Sequence, residues 1–409
     1  MDQDVWDLTV IGGGPAGMSG AIVAAELGQR VLLLEKQERA GRKILASGNG
    51  RCNLMNRLPP RYYGDSIFAE RALKRCGPQD IEDFFHRWGL LLREEAQGRV
   101  YPVTGQAASV LAALTAAMDT SGVTFCPGSA VQQVVSAHEG FEIRCGAQRI
   151  FSRRVLIACG GAAQPKLGGC GDGYALLSSL GHHLIPVSPA LTPMNTDPRS
   201  ISGLSGLRVL CRLSLKDANG SLLKAEEGEI LFTDYGISGI CVMQCARFAI
   251  PGSSLTADFL SPVFPDRTGA EHELAFRMNR FPDLPAQRLL EGILPAKLAF
   301  AVMKQAGFSL RGERVRDLPS DSPKRIAAAG YGYRFSDLHP RGLDQAQVTA
   351  GGMDCNEFSP ETMESRLVPG LFAAGEVLNV DGDCGGFNLM FAFASGMIAG
   401  GYRRKEQEL

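Results

Sequence analysis

The stretch Asp7-Leu-Thr-Val-Ile-Gly12-Gly-Gly14-Pro15-Ala16-Gly17, followed by Arg30-Val-Leu-Leu-Leu-Glu35-Lys36, decides the fold. An apolar strand enters a turn with glycines at G-x-G-x-x-G spacing, and a helix of small residues follows, Met18-Ser-Gly-Ala-Ile-Val-Ala-Ala-Glu26. Gly12 permits a tight turn, Gly14 lets backbone approach a pyrophosphate, and Gly17 lets the helix lie close on the strand. Phosphates at such a helix start meet free N–H groups and the positive end of the macrodipole. Glu35 ends the second strand, where a carboxylate accepts hydrogen bonds from ribose hydroxyls and repels a 2′-phosphate. Any tight strand-to-helix turn can produce the glycine spacing alone. Strand, small-residue helix and acidic residue in register read as a site for FAD or NAD.

With 409 residues the chain has material for two or three domains. Its 45% hydrophobic and 21% charged residues are those of an ordinary globular protein. The formal net charge of −1 gives no general attraction to nucleic acid or anionic membrane. A small-molecule substrate is therefore expected, with neither nucleic acid nor membrane as partner. Met1-Asp-Gln-Asp leads straight into the first strand without a signal-peptide pattern, and no apolar stretch reaches the roughly 18 residues of a membrane span. The expected location is the cytoplasm. Eleven cysteines without a C-x-x-C pair fit a reducing compartment. Cys241 and Cys245, four apart in an apolar stretch, read as one helix face and not as a metal site. His182 and His183 fall in a turn after Gly181.

The strand–helix–strand opening predicts a parallel sheet. Helices are expected around 66–76, 78–92 and 105–121, the last burying Val110, Leu111, Leu114 and Met118 on one face. Strands are expected at Val123-Thr-Phe, at Ala130-Val131-Gln-Gln-Val-Val, at Phe141-Glu-Ile-Arg and at Arg154-Val-Leu-Ile-Ala158. The last of these stops at Cys159-Gly160-Gly161. Ligands of such sheets lie beyond the carboxyl ends of the strands, so Ala158, Cys159 and Gly160 join the candidate cofactor site, with Ala130 and Val131. Pro186-Val-Ser-Pro-Ala-Leu-Thr-Pro193 marks a boundary. Beyond it, Leu207–Leu215 and Glu229–Phe232 alternate like antiparallel strands, while residues 285–306 read as one amphipathic helix whose Leu289, Leu290, Ile293, Leu298 and Val302 are core. The expected organisation is an α/β chain whose Rossmann-type FAD-binding domain spans 1–190 and 346–409. A β-barrel-like domain at 191–262 and 326–345 interrupts it and carries a small helical subdomain at 263–325.

Site grammar returns near the C-terminus. Val368-Pro-Gly-Leu-Phe-Ala-Ala-Gly375-Glu376 is a short apolar strand ending in glycine and a carboxylate. Asp381-Gly-Asp-Cys-Gly385-Gly386-Phe387-Asn388-Leu389 then runs into a helix of small and apolar residues ending at Gly400. A reduced flavin carries negative charge around N1 and its C2 carbonyl, and a helix starting at Gly385–Asn388 aims donors and dipole at that charge. Glu376 can accept hydrogen bonds from a ribityl chain. FAD is favoured over NAD.

Together these stretches resemble the BaiN-like (YhiN-like) FAD-dependent oxidoreductases, distant relatives of fumarate reductase flavoproteins. The resemblance covers nearly the whole chain. Its most specific piece is Gly41-Arg42-Lys43-Ile-Leu-Ala-Ser47-Gly48-Asn49-Gly-Arg51-Cys52-Asn53, with Gly98-Arg-Val-Tyr-Pro102, Val348-Thr-Ala-Gly-Gly352, Ala374-Gly-Glu-Val and Gly385-Gly-Phe-Asn-Leu389 in support. In this loop Arg42 and Lys43 can neutralise pyrophosphate, and Ser47, Asn49 and Asn53 can hydrogen-bond ribityl or ring edge. Cys52 has no partner cysteine at fixed spacing and reads as a packed thiol. Two segments depart from the family: Ala163-Gln-Pro-Lys-Leu-Gly-Gly-Cys170-Gly171 lacks hydroxyls, and Phe232-Thr-Asp234-Tyr235-Gly-Ile-Ser-Gly-Ile240 has a carboxylate where an imidazole is usual. Both are expected near the substrate face of the flavin.

The resemblance implies a reductase that passes hydride from flavin N5 to an activated carbon–carbon double bond, since family members are linked to 3-oxo bile-acid intermediates. Such chemistry needs a proton donor opposite N5, and Tyr101, Asp234, Tyr235 and His339 qualify by type. No second dinucleotide fingerprint is present, so NAD(P)H would dock transiently or another donor would replace it. An FAD-dependent oxidase of a small amine and a non-catalytic flavin redox sensor stay open as alternatives. Substrate, donor and oligomeric state are not fixed by the sequence.

Overall fold

Leu8–Ile11 (β1), Val31–Leu34 (β2), Thr124–Cys126 (β3), Val155–Ile157 (β4) and Leu371–Ala373 (β5) form one sheet in the order β5-β4-β1-β2-β3. Every pairing is parallel, with Ile11 opposite both Ile157 and Leu34. β1, β2, β4 and β5 are buried throughout, as their largely apolar runs require in a sheet covered on both faces. This computed structural model describes residues 5–404. The chain divides into two compact units, Met1–Pro189 with Gln347–Leu409, and Ala190–Ala346.

In the first unit, helix α1 (Pro15–Glu26) follows β1, α2 (Arg42–Ala46) follows β2, and α3 (Ala107–Ser121) buries Val110, Leu114 and Met118. The last helix, α4 (Phe387–Ala399), packs on α1 backbone to backbone. A Cβ at Gly396 would lie 2.1 Å from the Ala16 carbonyl oxygen, and one at Gly400 would lie 2.4 Å from that of Gly20. The hydroxyl of Ser19 donates to the Phe393 carbonyl at 3.3 Å. Contacts advance together along both helices, so α1 and α4 run parallel. Nine residues separate Phe387 from Gly396, so the start of α4 extends roughly 13 Å beyond the start of α1. The small residues of both sequences make this approach possible.

The second unit is the β-barrel-like insert. Its seven-stranded antiparallel sheet runs Tyr333–Phe335, Ser254–Asp258, Arg208–Lys216, Leu222–Phe232, Gly236–Ser238, Met194–Asn195, His339–Pro340. Arg267–Arg280, Ala296–Gln305 and Ser322–Tyr331 are its principal helices. Phe232, Phe259, Tyr333 and Phe335 pack tilted or edge-to-face against one another in its core. Cys241 and Cys245 are buried on the helix Ile240–Ala246.

Local expectations differ from the structure in five places. The helix expected over 285–306 forms only at Ala296–Gln305, because Gly292 at φ +84° and Pro295 interrupt it, although Leu289 and Leu290 are buried in the core as expected. The helix expected to reach residue 92 ends at Arg87, and Leu92–Glu94 becomes a strand against Arg99–Pro102. Gly89 turns the chain there with a φ of +77°. The segment Leu184–Ala190 is a strand beside Val348–Met353, because its prolines occupy a two-stranded ribbon and so interrupt no central ladder. The strand expected from Ala130 begins at Gln133, and Gln148–Ser152 adds an unexpected hairpin partner for Gly140–Cys145. Among the described residues no helix is long and apolar enough to cross a membrane.

Candidate functional site

The carboxyl ends of all five parallel strands share one edge of the sheet, and α1, α2 and the turn before α4 gather there. Gly12 has a φ of +110°, and a Cβ on it would lie 2.5 Å from the Ala158 carbonyl oxygen. The first glycine turn therefore touches the end of β4, where Ala158 donates its N–H to Ile11 at 2.9 Å and the Cys159 thiol reaches the same carbonyl at 3.4 Å. A Cβ at Gly17 would be 1.8 Å from the Gly12 oxygen. Gly14 and Gly160 face open space, with nothing within 4 Å of an added Cβ. Pro15 opens α1 and no side chain caps it, which leaves the first-turn N–H groups around Ala16 and Gly17 without an internal acceptor.

Glu35 accepts from the N–H of Gly13 at 2.7 Å and of Gln37 at 2.8 Å, which pins the carboxylate against the glycine turn. The Ser129 N–H donates to the Glu35 carbonyl at 2.8 Å, with Ala130 exposed and Val131 half-buried just beyond. Lys36 pairs with Asp172 at 3.0 Å and contacts the Cys170 thiol. Burial opposes its charge, but hydrogen bonds to Cys170 and Asp172 outweigh burial and hold its pKa above the ordinary lysine value. The segment ending at Gly171 thus lies against Lys36.

The Gly41 N–H donates to the Gly13 carbonyl at 2.8 Å, which brings the 41–53 loop onto the same edge. Arg42 donates to the Gln37 side chain at 2.7 Å, and Lys43 pairs with Glu376 at 2.8 Å. The other Glu376 oxygen accepts from the Thr349 N–H at 2.9 Å, while the Thr349 hydroxyl accepts from the Ala162 and Ala163 amides, both at 2.9 Å. Ser47 donates to the Ile44 carbonyl at 2.6 Å. Gly48 and Asn49, both at φ +55°, and Cys52, at φ +58°, wind the loop tightly. Cys52 is buried, and burial pushes its thiol up to about 11 against an opposing hydrogen bond from Ser47. Arg51 pairs with Glu95 at 2.6 Å and lies over the Tyr101 ring at 4.2 Å. The Asn53 side-chain oxygen is buried and has no hydrogen-bond partner among the described residues.

The turn into α4 closes on this loop. A Cβ at Gly386 would lie 2.5 Å from the Met55 carbonyl oxygen and 2.8 Å from the Asn53 side-chain oxygen. Asn56 donates to the Gly385 carbonyl and Tyr62 to that of Phe387, both at 2.8 Å. Asn388 binds the backbone of Gly382 through both its amide atoms at 2.8 Å, and Leu389 is half-buried behind it. Asp381 is buried in the strand Val380–Gly382. Gly375 donates its N–H to Ser395 of α4 at 3.0 Å. No side chain caps α4. Of the four acid candidates only Tyr101 belongs to this unit. In the second unit Tyr235 stacks under Arg341 at 4.1 Å and His339 bonds Asp337 at 2.9 Å, with Asp234 beside Tyr235. Sequence reasoning passed over Thr349, Asn56, Tyr62 and Ser395. Thr349 stands inside a quoted motif, whereas the other three lie in no local pattern.

Residues 6–402 match the HI0933-like protein Rossmann domain family. The chain belongs to this family. It is an FAD-dependent oxidoreductase of the BaiN-like (YhiN-like) type that its motifs resemble. It is 36% identical over 404 residues to the 3-dehydro-bile acid delta(4,6)-reductase of Clostridium scindens, covering 96% of this chain and 97% of that one. It is 31% identical over 402 residues to the ribosomal RNA dihydrouridine synthase of Escherichia coli, covering 95% and 96%. The structure of 3-ketosteroid delta1-dehydrogenase from Sterolibacterium denitrificans shares the fold, with a TM-score of 0.53 at 13% identity over 97% of this chain and 99% of that one.

Proposed function

We propose that this chain holds FAD across its two glycine turns and reduces a ring carbon–carbon double bond conjugated to a carbonyl, in a small steroid-like molecule. The observation that carries the reading is the pair of parallel, uncapped helices, α1 and α4, whose starts are offset by roughly 13 Å along their common axis. That offset suits a ligand with phosphates at one end and an electron-accepting ring at the other. Open space at Gly14 and Gly160 and the unpartnered Asn53 oxygen fit such a group, because a buried acceptor without a donor costs about 1–3 kcal/mol until something supplies one.

In this reading Gly14, Pro15, Ala16 and Gly17 present donors to the pyrophosphate, and Glu35 takes the adenosine ribose with Lys36, Ala130 and Val131 beside it. Ala158, Cys159 and Gly160 line the middle. Lys43, Glu376 and Gly375 position the ribityl segment, with Arg42 adding positive charge. Ser47 to Asn53 and Asp381 to Leu389 enclose the ring, where Gly385, Gly386, Phe387 and Asn388 start the helix that stabilises negative charge. Bound FAD supplies hydride at N5, after reduction by NAD(P)H or another donor.

The steroid-like substrate follows the name of the Clostridium scindens relative. The Escherichia coli relative is named for dihydrouridine formation, which also saturates a ring double bond conjugated to a carbonyl. A net charge of −1 supplies no long-range attraction to RNA, which favours the small molecule. The test is anaerobic. Protein reconstituted with FAD is mixed with a small amine while still yellow, or is first bleached by NADH or dithionite and then mixed with a 3-oxo-4,6-diene steroid or a uridine-containing RNA. Return of the yellow absorbance with the steroid and not with RNA, and no bleaching by the amine, is expected. Reoxidation by RNA alone, bleaching by the amine, or failure to retain FAD would each overturn the proposal.

A further inference from the structure

Arg99 and Tyr101 stand two apart on the strand Arg99–Pro102 and so project from one face of it. A Cβ at Gly385 would lie 3.8 Å from Arg99 Nε, and one at Gly48 would lie 3.8 Å from the Tyr101 ring. The pair therefore borders both the turn before α4 and the 41–53 loop. Arg99 is half-buried, and among the described residues its guanidinium has no hydrogen bond or ion pair. Tyr101 is 8% exposed, and its hydroxyl likewise has no hydrogen-bond partner there. Nearby acids do not serve: Glu95 is taken by Arg51 and Arg93, and Asp383 by Tyr63 and Arg61.

Neither polar head is sealed from solvent, so the cation and the hydroxyl stand side by side free to meet an acceptor from outside the chain. The uncapped start of α4 already offers donors to a ring carbonyl, so a second donor pair fits a second oxygen. We infer that Arg99 and Tyr101 form the oxyanion site that binds the carbonyl oxygen of the substrate. This rests on the reductase reading proposed above. In the reaction, a hydride, carrying two electrons, adds to the β carbon of the enone. The double-bond pair moves into the carbon–carbon bond next to the carbonyl, and the carbonyl π pair moves onto oxygen. Arg99 neutralises that oxyanion and Tyr101 donates a hydrogen bond to it. Protonation of the α carbon by water restores the carbonyl and completes the two-electron reduction.

The test uses the FAD-loaded full chain and its R99M, R99K and Y101F variants. All four should retain FAD with the same absorbance. Reoxidation of dithionite-reduced protein by a 3-oxo-4-ene steroid should slow on the order of 100-fold in R99M. Y101F should slow it less, and R99K should recover part of the loss. Binding of 4-nitrophenolate, a stable mimic of the oxyanion, should weaken about tenfold in R99M. Unchanged enone kinetics and unchanged phenolate affinity in both R99M and Y101F would overturn the site. So would loss of FAD from R99M and R99K alike, which would give Arg99 to the cofactor. If the wild type reduces no enone yet R99M weakens phenolate binding, the reaction proposed above fails while the anion site stands.

Discussion

Lys43 and Glu376 lie 333 residues apart in sequence and 2.8 Å apart in the fold. Lys43 belongs to α2, after β2, and Glu376 to the turn after β5, so one ion pair ties the N-terminal half of the sheet edge to the C-terminal half. Both side chains are about three-quarters buried or more, with 26% and 18% exposure. Removing either partner leaves the other charge poorly solvated. We expect Lys43→Met and Glu376→Gln each to cost about 2 kcal/mol in urea unfolding, and the double variant to cost less than their sum. Strict additivity in that cycle would show that the pair is not coupled.

The glycines of the first turn should separate folding from binding. At Gly12→Ala, a φ of +110° and a carbonyl oxygen 2.5 Å from the new Cβ oppose the side chain together. That variant should fold poorly or not at all. Gly14→Ala meets nothing within 4 Å and should leave the unfolding midpoint of the FAD-free protein unchanged. Its FAD affinity should fall at least tenfold, because the methyl group enters the space that phosphate needs. An unaltered FAD titration curve for Gly14→Ala would contradict this.

Much of this architecture could be read from local pattern, because β1, the Gly12–Gly17 turn and the end of β5 each carry their signal within a dozen residues. The crossing of α1 and α4 was legible only as composition. Small residues on both helices allow close approach, but nothing in either one states that Ala16 meets Gly396. Asn56, Tyr62 and Ser395 were illegible for the same reason, since each is defined by a backbone group far away in sequence. Arg99 and Tyr101 were visible as a motif, yet only the fold reveals that neither the guanidinium nor the hydroxyl has a hydrogen-bond partner among the described residues. The helix expected over 78–92 erred because apolar Leu90 and Leu92 continue the pattern past Gly89, where the backbone turns.

The cysteines should divide sharply under alkylation. Cys52 is fully buried and its thiol is pushed up to about 11, so at pH 8 it is both shielded and protonated. Cys170 is exposed, with the Lys36 ammonium in contact. Brief treatment of folded protein with iodoacetamide, followed by peptide mass spectrometry, should find Cys170 modified and Cys52 intact. Cys52→Ala should accordingly keep the capacity to be reduced and reoxidised. Rapid labelling of Cys52 in the native state would reopen a redox role for it.

His182 gives the fold a pH dependence whose sign can be worked out. Its ring is buried, stacks on Phe358 at 4.6 Å, and bonds Glu357 through Nδ1 at 2.9 Å and Ser365 through Nε2 at 3.0 Å. Ser365 also accepts the N–H groups of Leu367 and Val368, so its hydroxyl proton points to the imidazole and the ring is held neutral. Burial lowers the His182 pKa below the ordinary 6.5, and the opposing pull of Glu357 does not cancel it. The unfolded chain therefore takes up the proton first as pH falls. Stability from His182 is complete above pH 6.5 and declines as the pH drops from there towards the folded-state pKa. The urea midpoint of the wild type should fall between pH 7 and pH 5 more steeply than that of His182→Gln, which starts lower because two buried hydrogen bonds are disturbed. Parallel midpoint curves for the two proteins would mean that His182 stays neutral in both states or charged in both.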